Sequence, residues 1–126
     1  LSHKEEEQMY KDYGSAFLLK NFPMYTHPFW NMKYSEDKTH ANKIDVILSG
    51  QETIGSAERS TSVEDMRNGF KNISDGEYAK ILYSKFGNER VDKELDVFLS
   101  NTFMPRSGGG IGVTRLIRSM KLEGLI

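Results

Sequence analysis

Two stretches of this sequence carry residue types that could do chemistry. The first is IDVILSGQETIGSAER, in which Asp45 and Glu52 stand on either side of a Ser-Gly pair. A strand–turn–strand reading pairs the two halves. Antiparallel pairing can bring both carboxylates to one face, where they could share a divalent cation. Hard oxygen ligands of this kind suit magnesium, whose other positions are usually filled by water and substrate phosphates. Arg59 ends the same segment and could grip a carboxylate with two parallel hydrogen bonds. The same residues also fit a plain hairpin with solvated charges. Against that reading, Asp45 interrupts a β-branched strand, where an acid has to be exposed or paired.

The second stretch is RSGGGIGVTRLIRSM, with glycines at 108, 109, 110 and 112 immediately before Arg115 and Arg118. Glycine lets a flat ligand or a phosphate come close to the main chain. A helix starting here would offer unpaired N–H groups to an anion, and a guanidinium one turn inside could hold a phosphate. The spacing is neither the GxGxxG of a dinucleotide fold nor a P-loop, since no GK[ST] follows. The alternation Gly110-Ile111-Gly112-Val113 reads as a strand whose bare face makes a floor for a planar base. A flexible loop ahead of a solvated helix fits the same letters.

The elements that must position these residues follow from local pattern. Ser2 caps a helix through HKEEEQMYKDY that Gly14 stops, with acids crowding its first turn. SAFLLKNFP reads as a strand ending at Pro23 and HPFWNMKYS as another, with the polar SEDKTHAN as a turn. KIDVILSG and QETIGSAERS form neighbouring antiparallel strands. Ser62, with Asp65 three residues on, starts a helix. SDGEYAKILYSKFG and NERVDKELDVFLSNTF carry apolar residues at helical spacing, and VTRLIRSMKLEGL is a last helix. Strands first and helices after predict an α+β domain with an antiparallel sheet flanked by helices. Trp30, with Phe29, Met32 and Tyr34, reads as core. His3, His27 and His40 lack metal-like spacing and read as surface or structural residues.

Composition narrows the function classes. The chain has 126 residues, a net charge of −1 and no cysteine. Disulfides, thiolate metal sites and cysteine nucleophiles are therefore excluded. Global basicity gives no case for nucleic-acid binding, although a local patch could. No apolar run approaches the length of a membrane span. The start LSHKEEEQMYK has no apolar signal region, so a cytoplasmic protein is expected. The missing initial Met points to a piece of a longer chain.

Taken together, the two stretches resemble the C-terminal half of a class II aminoacyl-tRNA synthetase catalytic domain, in the aspartyl/asparaginyl branch. GGGIGVTRL is similar to motif 3 of that class. GQETIGSAER is similar to its GEEIxxGxQR-type strand, and YGSAFLLKNFP…HPFWNMK to the strand pair before it. The resemblance covers nearly all of residues 1–126 and implies a partial catalytic domain, the motif 3 half, with nothing similar to motifs 1 and 2. It implies a ligase that uses ATP and Mg2+ to activate aspartate or asparagine as an adenylate for charging tRNA, with a homodimeric parent.

The resemblance also implies roles. Asp45 and Glu52 would hold the metal on ATP, and Ser56 would lie in a small-residue turn beside it. Arg59 would bind the amino-acid side chain, Gly110 and Gly112 would lie near the adenosine, and Arg115 would meet the γ-phosphate. Two positions depart from the pattern. Thr114 stands where motif 3 has Glu, and Glu58 stands where the family has Gln, adding negative charge beside the expected amino-acid pocket. A tRNA-independent asparagine synthetase on the same core, and a non-catalytic paralogue, are the alternatives.

Overall fold

The computed structural model describes residues 2–126; Leu1, the first residue of the expected domain, lies outside them. Helix α1 (His3–Tyr13) opens with a reciprocal cap. Ser2 Oγ accepts from the Glu5 backbone N–H while Glu5 accepts from the Ser2 N–H, satisfying two donors that a helix start leaves open. Four strands follow the expected α+β plan: β1 (Ala16–Pro23), β2 (His40–Leu48), β3 (Gln51–Arg59) and β4 (Arg106–Ile111). They form one antiparallel sheet in the order β1-β2-β3-β4.

The β2–β3 turn is made by Ser49 and Gly50, both with positive φ (46° and 76°). That is the geometry whose twist matches a two-residue hairpin. It pairs Leu48 with Gln51 and Ile47 with Glu52, but one step further Val46 pairs with Ile54. Thr53 is therefore an extra residue in β3, a bulge. From there on Gly55, Ala57 and Arg59 share a face with Asp45 and Lys43, while Ile54, Ser56 and Glu58 share the other. On that other face a row of apolar partners, Leu18, Val46, Ile54 and Ile111, crosses all four strands.

Between β3 and β4 lies a helical layer: α2 (Val63–Asn72), α3 (Glu77–Phe86) and α4 (Asn88–Leu99). Ser62 caps α2 as expected, its Oγ accepting from the Asp65 N–H at 3.1 Å. Asp65 does not complete a capping box. Its carboxylate accepts from Lys38 Nζ instead. Met66, Phe70, Ala79, Val91, Leu95 and Leu99 form the buried cluster, with Trp30 packed against it. Trp30 sits edge-on to both Phe70 and Phe98, with ring centroids 5.6 Å apart in each case. The expected core role of Trp30 holds. Helix α5 (Val113–Leu122) follows β4 directly.

Three expectations about elements need correction. HPFWNMKYS is not a strand. Pro28 has no N–H to give a ladder and His27 is left-handed (φ 52°). The segment makes only isolated bridges, Met32 to Arg59 and Tyr34 to Ala41, which tie the ends of β2 and β3. The helix expected from Ser74 starts at Glu77, because Ser74, Asp75 and Gly76 all carry positive φ. The helix expected to run to Phe103 stops at Leu99. There Asn101 Nδ2 donates to the Phe98 carbonyl, and Phe103 folds back onto the cluster.

Candidate active site

Asp45 lies in the centre of the sheet and is 2% exposed. One of its oxygens, Oδ2, accepts from Lys43 Nζ. The other, Oδ1, is buried and has no partner. Glu52 approaches the same place from the start of β3. A Cβ added to Gly55 would lie 2.9 Å from Glu52 Oε1 and 3.5 Å from Asp45 Oδ1, so both oxygens lie over Gly55. The hairpin turn sets Glu52 on the face of Asp45. The bulge then sets a glycine, rather than Ile54, between them.

A buried carboxylate oxygen with no donor is costly unless a partner arrives. Two converging carboxylates fit a magnesium ion that keeps its other positions for water and phosphate. Among the described residues there is no cluster of three or more acids or histidines, so this pair has no third protein ligand of that type. A cavity of about 600 Å³ opens over this face, lined by Asp45, Glu52, Lys43 and Phe22 and, from α1, by Glu5 and Glu6.

The glycines of β4 extend the bare floor. Gly110 pairs with Gly55, and a Cβ on Gly110 would meet nothing within 4 Å. Gly108 lies under Arg59, whose Nε would be 3.4 Å from a Cβ there. Arg59 is oriented by two acceptors: its Nη1 donates to Asn31 Oδ1 at 3.1 Å and its Nη2 to the Gly108 carbonyl at 3.4 Å. At the Glu52 end of β3, the Gly112 N–H donates to the carbonyl of the bulged Thr53 at 2.8 Å. Arg115 Nη1 donates to the Glu52 carbonyl at 2.7 Å. The start of α5 is thus hinged on the bulge, and Arg115 is held beside Glu52. Arg118 donates to the Ser49 carbonyl instead.

Ser56 is not in a turn. It lies mid-strand on the opposite face, its hydroxyl donating to the Ile44 carbonyl at 2.9 Å. A strand alternates its side chains with a period of two, so Ser56 and Arg59 cannot share a face. The same alternation removes the expected extra charge. Glu58 points away from Arg59 and accepts from Lys33 Nζ (2.7 Å) and Asn42 Nδ2 (2.9 Å). These two bonds, that of Lys33 first, hold its carboxyl below the usual range. Lys43, Gly55 and Asn31 escaped sequence reasoning. The spacing Lys43-x-Asp45 on a strand was a usable signal, since it puts both side chains on one face.

Comparison with known proteins gives the frame for this geometry. The family model described as tRNA synthetases class II (D, K and N) matches residues 3–124. No curated protein matches the chain at a significant level. Among solved structures, asparaginyl-tRNA synthetase from Pyrococcus horikoshii is 21% identical with a TM-score of 0.67, over 94% of this chain and 26% of its own. Aspartyl tRNA synthetase from Entamoeba histolytica is 21% identical with a TM-score of 0.64, over 94% and 23%. Entamoeba histolytica asparaginyl-tRNA synthetase in complex with asparaginyl-adenylate is 23% identical with a TM-score of 0.64, over 98% and 26%. The chain spans about a quarter of the length of these synthetases. The family match runs from α1 through α5, and the chain belongs to the class II tRNA synthetases (D, K and N).

Proposed function

We propose that residues 1–126 are the motif 3 half of a class II catalytic domain and hold ATP and a divalent ion while aspartate or asparagine is activated as its adenylate, for transfer to tRNA. The observation that carries this reading is one face of one sheet. On it, Asp45 Oδ1 and Glu52 Oε1 converge over Gly55, with Gly110 bare beside them. Arg59 and Arg115 stand toward opposite ends of β3. The family match and the adenylate complex of the Entamoeba relative agree with it.

The division of labour follows from position. Gly110 leaves room for the adenosine, whereas Gly112 serves close packing: a Cβ there would lie 3.2 Å from Arg115 Cδ and 3.4 Å from the Thr53 carbonyl. Asp45 and Glu52 would hold magnesium, which when bound neutralises phosphate charge and fixes the triphosphate for in-line displacement. Arg115 receives the γ-phosphate, and Asn31 keeps the Arg59 fork aimed at the amino-acid side chain. With these groups preset, the substrate carboxylate attacks the α-phosphate and pyrophosphate leaves; the chain needs no nucleophile of its own. Ser56 has no part in this reading, because its hydroxyl lies on the other face. A homodimeric parent and tRNA as acyl acceptor belong to the same proposal.

Pyrophosphate exchange dependent on aspartate or asparagine tests the activity. Exchange with neither amino acid would sink this reading in favour of a non-catalytic relative. Acyl transfer to ammonia rather than tRNA would change the acceptor and leave the site as described. Arg115→Ala should weaken ATP binding by about 10- to 100-fold, the worth of one charge-assisted contact. Because Arg115 is exposed, the melting temperature should stay nearly constant. Unchanged ATP affinity would remove Arg115 from the site.

A further inference from the structure

Lys43 stands out among the cations of this cavity. It lies two residues before Asp45 on β2, so strand periodicity puts both side chains on the site face. Its side chain is only 19% exposed. Its ammonium is held from two sides, by Asp45 Oδ2 and by the face of the Phe22 ring, 3.8 Å from the centroid. This is a fixed, largely desolvated charge rather than a solvated surface lysine. Asp45 is thereby split between two tasks: Oδ2 is taken by the ammonium, and Oδ1, buried and without a donor, lies over Gly55 with Glu52 Oε1.

We propose that Lys43 is a built-in counter-ion of the candidate metal site, which neutralises Asp45 when no metal is present and weakens divalent-ion binding when one arrives. The inference rests on the reading of Asp45 and Glu52 as the metal-holding pair. Its physical basis is simple. A divalent ion on Asp45 Oδ1 would sit close to an ammonium on the same carboxylate, and like charges repel strongly where water is scarce. Without Lys43 the two acids present two uncompensated charges; with it they present one. The other charged groups lining the cavity are Glu5, Glu6, Lys20 and His27. None of them hydrogen-bonds Asp45 among the described residues. Lys43 is therefore a positioning residue that sets how tightly the ion is held and keeps a buried carboxylate paired in its absence.

Mn2+ is the probe, titrated into the 126-residue chain and followed by electron paramagnetic resonance and by the rise in melting temperature on metal addition. Lys43→Met, which keeps the stem and removes the charge, should bind Mn2+ at least about tenfold tighter than wild type. It should also gain more in melting temperature from the metal. Lys43→Arg, which keeps both stem and charge, should behave like wild type; tighter binding in Lys43→Met, where the stem is kept, is what a purely packing role would not explain. Asp45→Asn should abolish binding in either background.

If Lys43→Met binds no tighter while binding still depends on Asp45, the counter-ion role is wrong and the metal site stands. Absence of Mn2+ binding in every variant overturns both. Should Lys43→Met not fold unaided, Lys43→Gln serves the same comparison. Should neither fold unaided, Mn2+ is expected to restore folding, and failure to do so overturns the proposal.

Discussion

The sheet and the helical layer solve opposite problems. The helices spanning Val63 to Leu99 bury Met66, Phe70, Val91, Leu95 and Leu99 against Trp30, with aromatic rings meeting edge to face. In the sheet, the buried positions include Asp45, Ser49 and Thr53 beside Ala41, Ile47 and Ala57. Each large apolar side chain in such a cluster contributes roughly 1.5–3 kcal/mol. A buried carboxylate with an open valence contributes nothing of the kind and costs free energy until paired. The helical layer can therefore carry the stability, while the sheet keeps small, bare and polar positions on the face proposed to take substrate.

The strongest challenge to that contrast is Phe70→Ala. Phe70 is nearly buried and meets the rings of Trp30, Tyr78 and Tyr83. Its loss should cost about 3–5 kcal/mol in denaturant unfolding. A loss below 1 kcal/mol would mean the cluster is not the main store of stability.

Next come two adjacent glycines that look alike in sequence. A Cβ on Gly109 would lie 2.5 Å from the Gly55 carbonyl oxygen and 2.8 Å from Ser56 Cβ, so β3 and β4 would have to part. Gly109→Ala should cost about 1–3 kcal/mol, as overpacking does. Gly110→Ala meets only open space, so it should leave the melting temperature within a degree or two while weakening ATP binding about tenfold, or roughly 1.4 kcal/mol. Equal melting shifts for the two variants would refute the assignment of faces.

The smallest expected effect lies in the turn before β2. Asp37 accepts from the Ser35 hydroxyl and from the Thr39 N–H and hydroxyl. These bonds, that of Ser35 first, lower its carboxyl from 3.8 to about 2. A depressed carboxyl pKa gives a contribution that is present above about pH 4 and is lost as the pH falls toward 2. Carbon chemical shifts of the Asp37 carboxyl should titrate near 2 in the wild type and at a higher pH in Ser35→Ala/Thr39→Ala, which loses both hydroxyl donors and keeps the residue 39 N–H. The group is exposed, so the global stability should barely follow.

Much of the framework was legible because local rules fix it. Ser2 and Ser62 cap their helices through a side-chain oxygen placed three residues before an open N–H. Ser49-Gly50 takes the positive φ of a hairpin turn, in keeping with the expectation that Asp45 and Glu52 lie on adjacent antiparallel strands with their carboxylates on one face. HPFWNMKYS misled because aromatic residues suit both a strand and a packed coil, and only the helical cluster decides that Trp30 is drawn down onto Phe70 and Phe98.

The sequence by itself determined the residue types, the order of elements and the two stretches proposed to carry the chemistry, since capping, turn formation and periodicity act over a few neighbouring residues. Which side chains share the site was decided by tertiary structure. One extra residue at Thr53 turned Gly55 and Arg59 toward Asp45, and turned Ser56 and Glu58 away. A bulge exists only through pairing with another strand, and here its freed carbonyl is also taken by the Gly112 N–H at the start of α5. No local pattern in β3 specifies that partner, so the face on which each residue of β3 lies became visible only in the folded sheet.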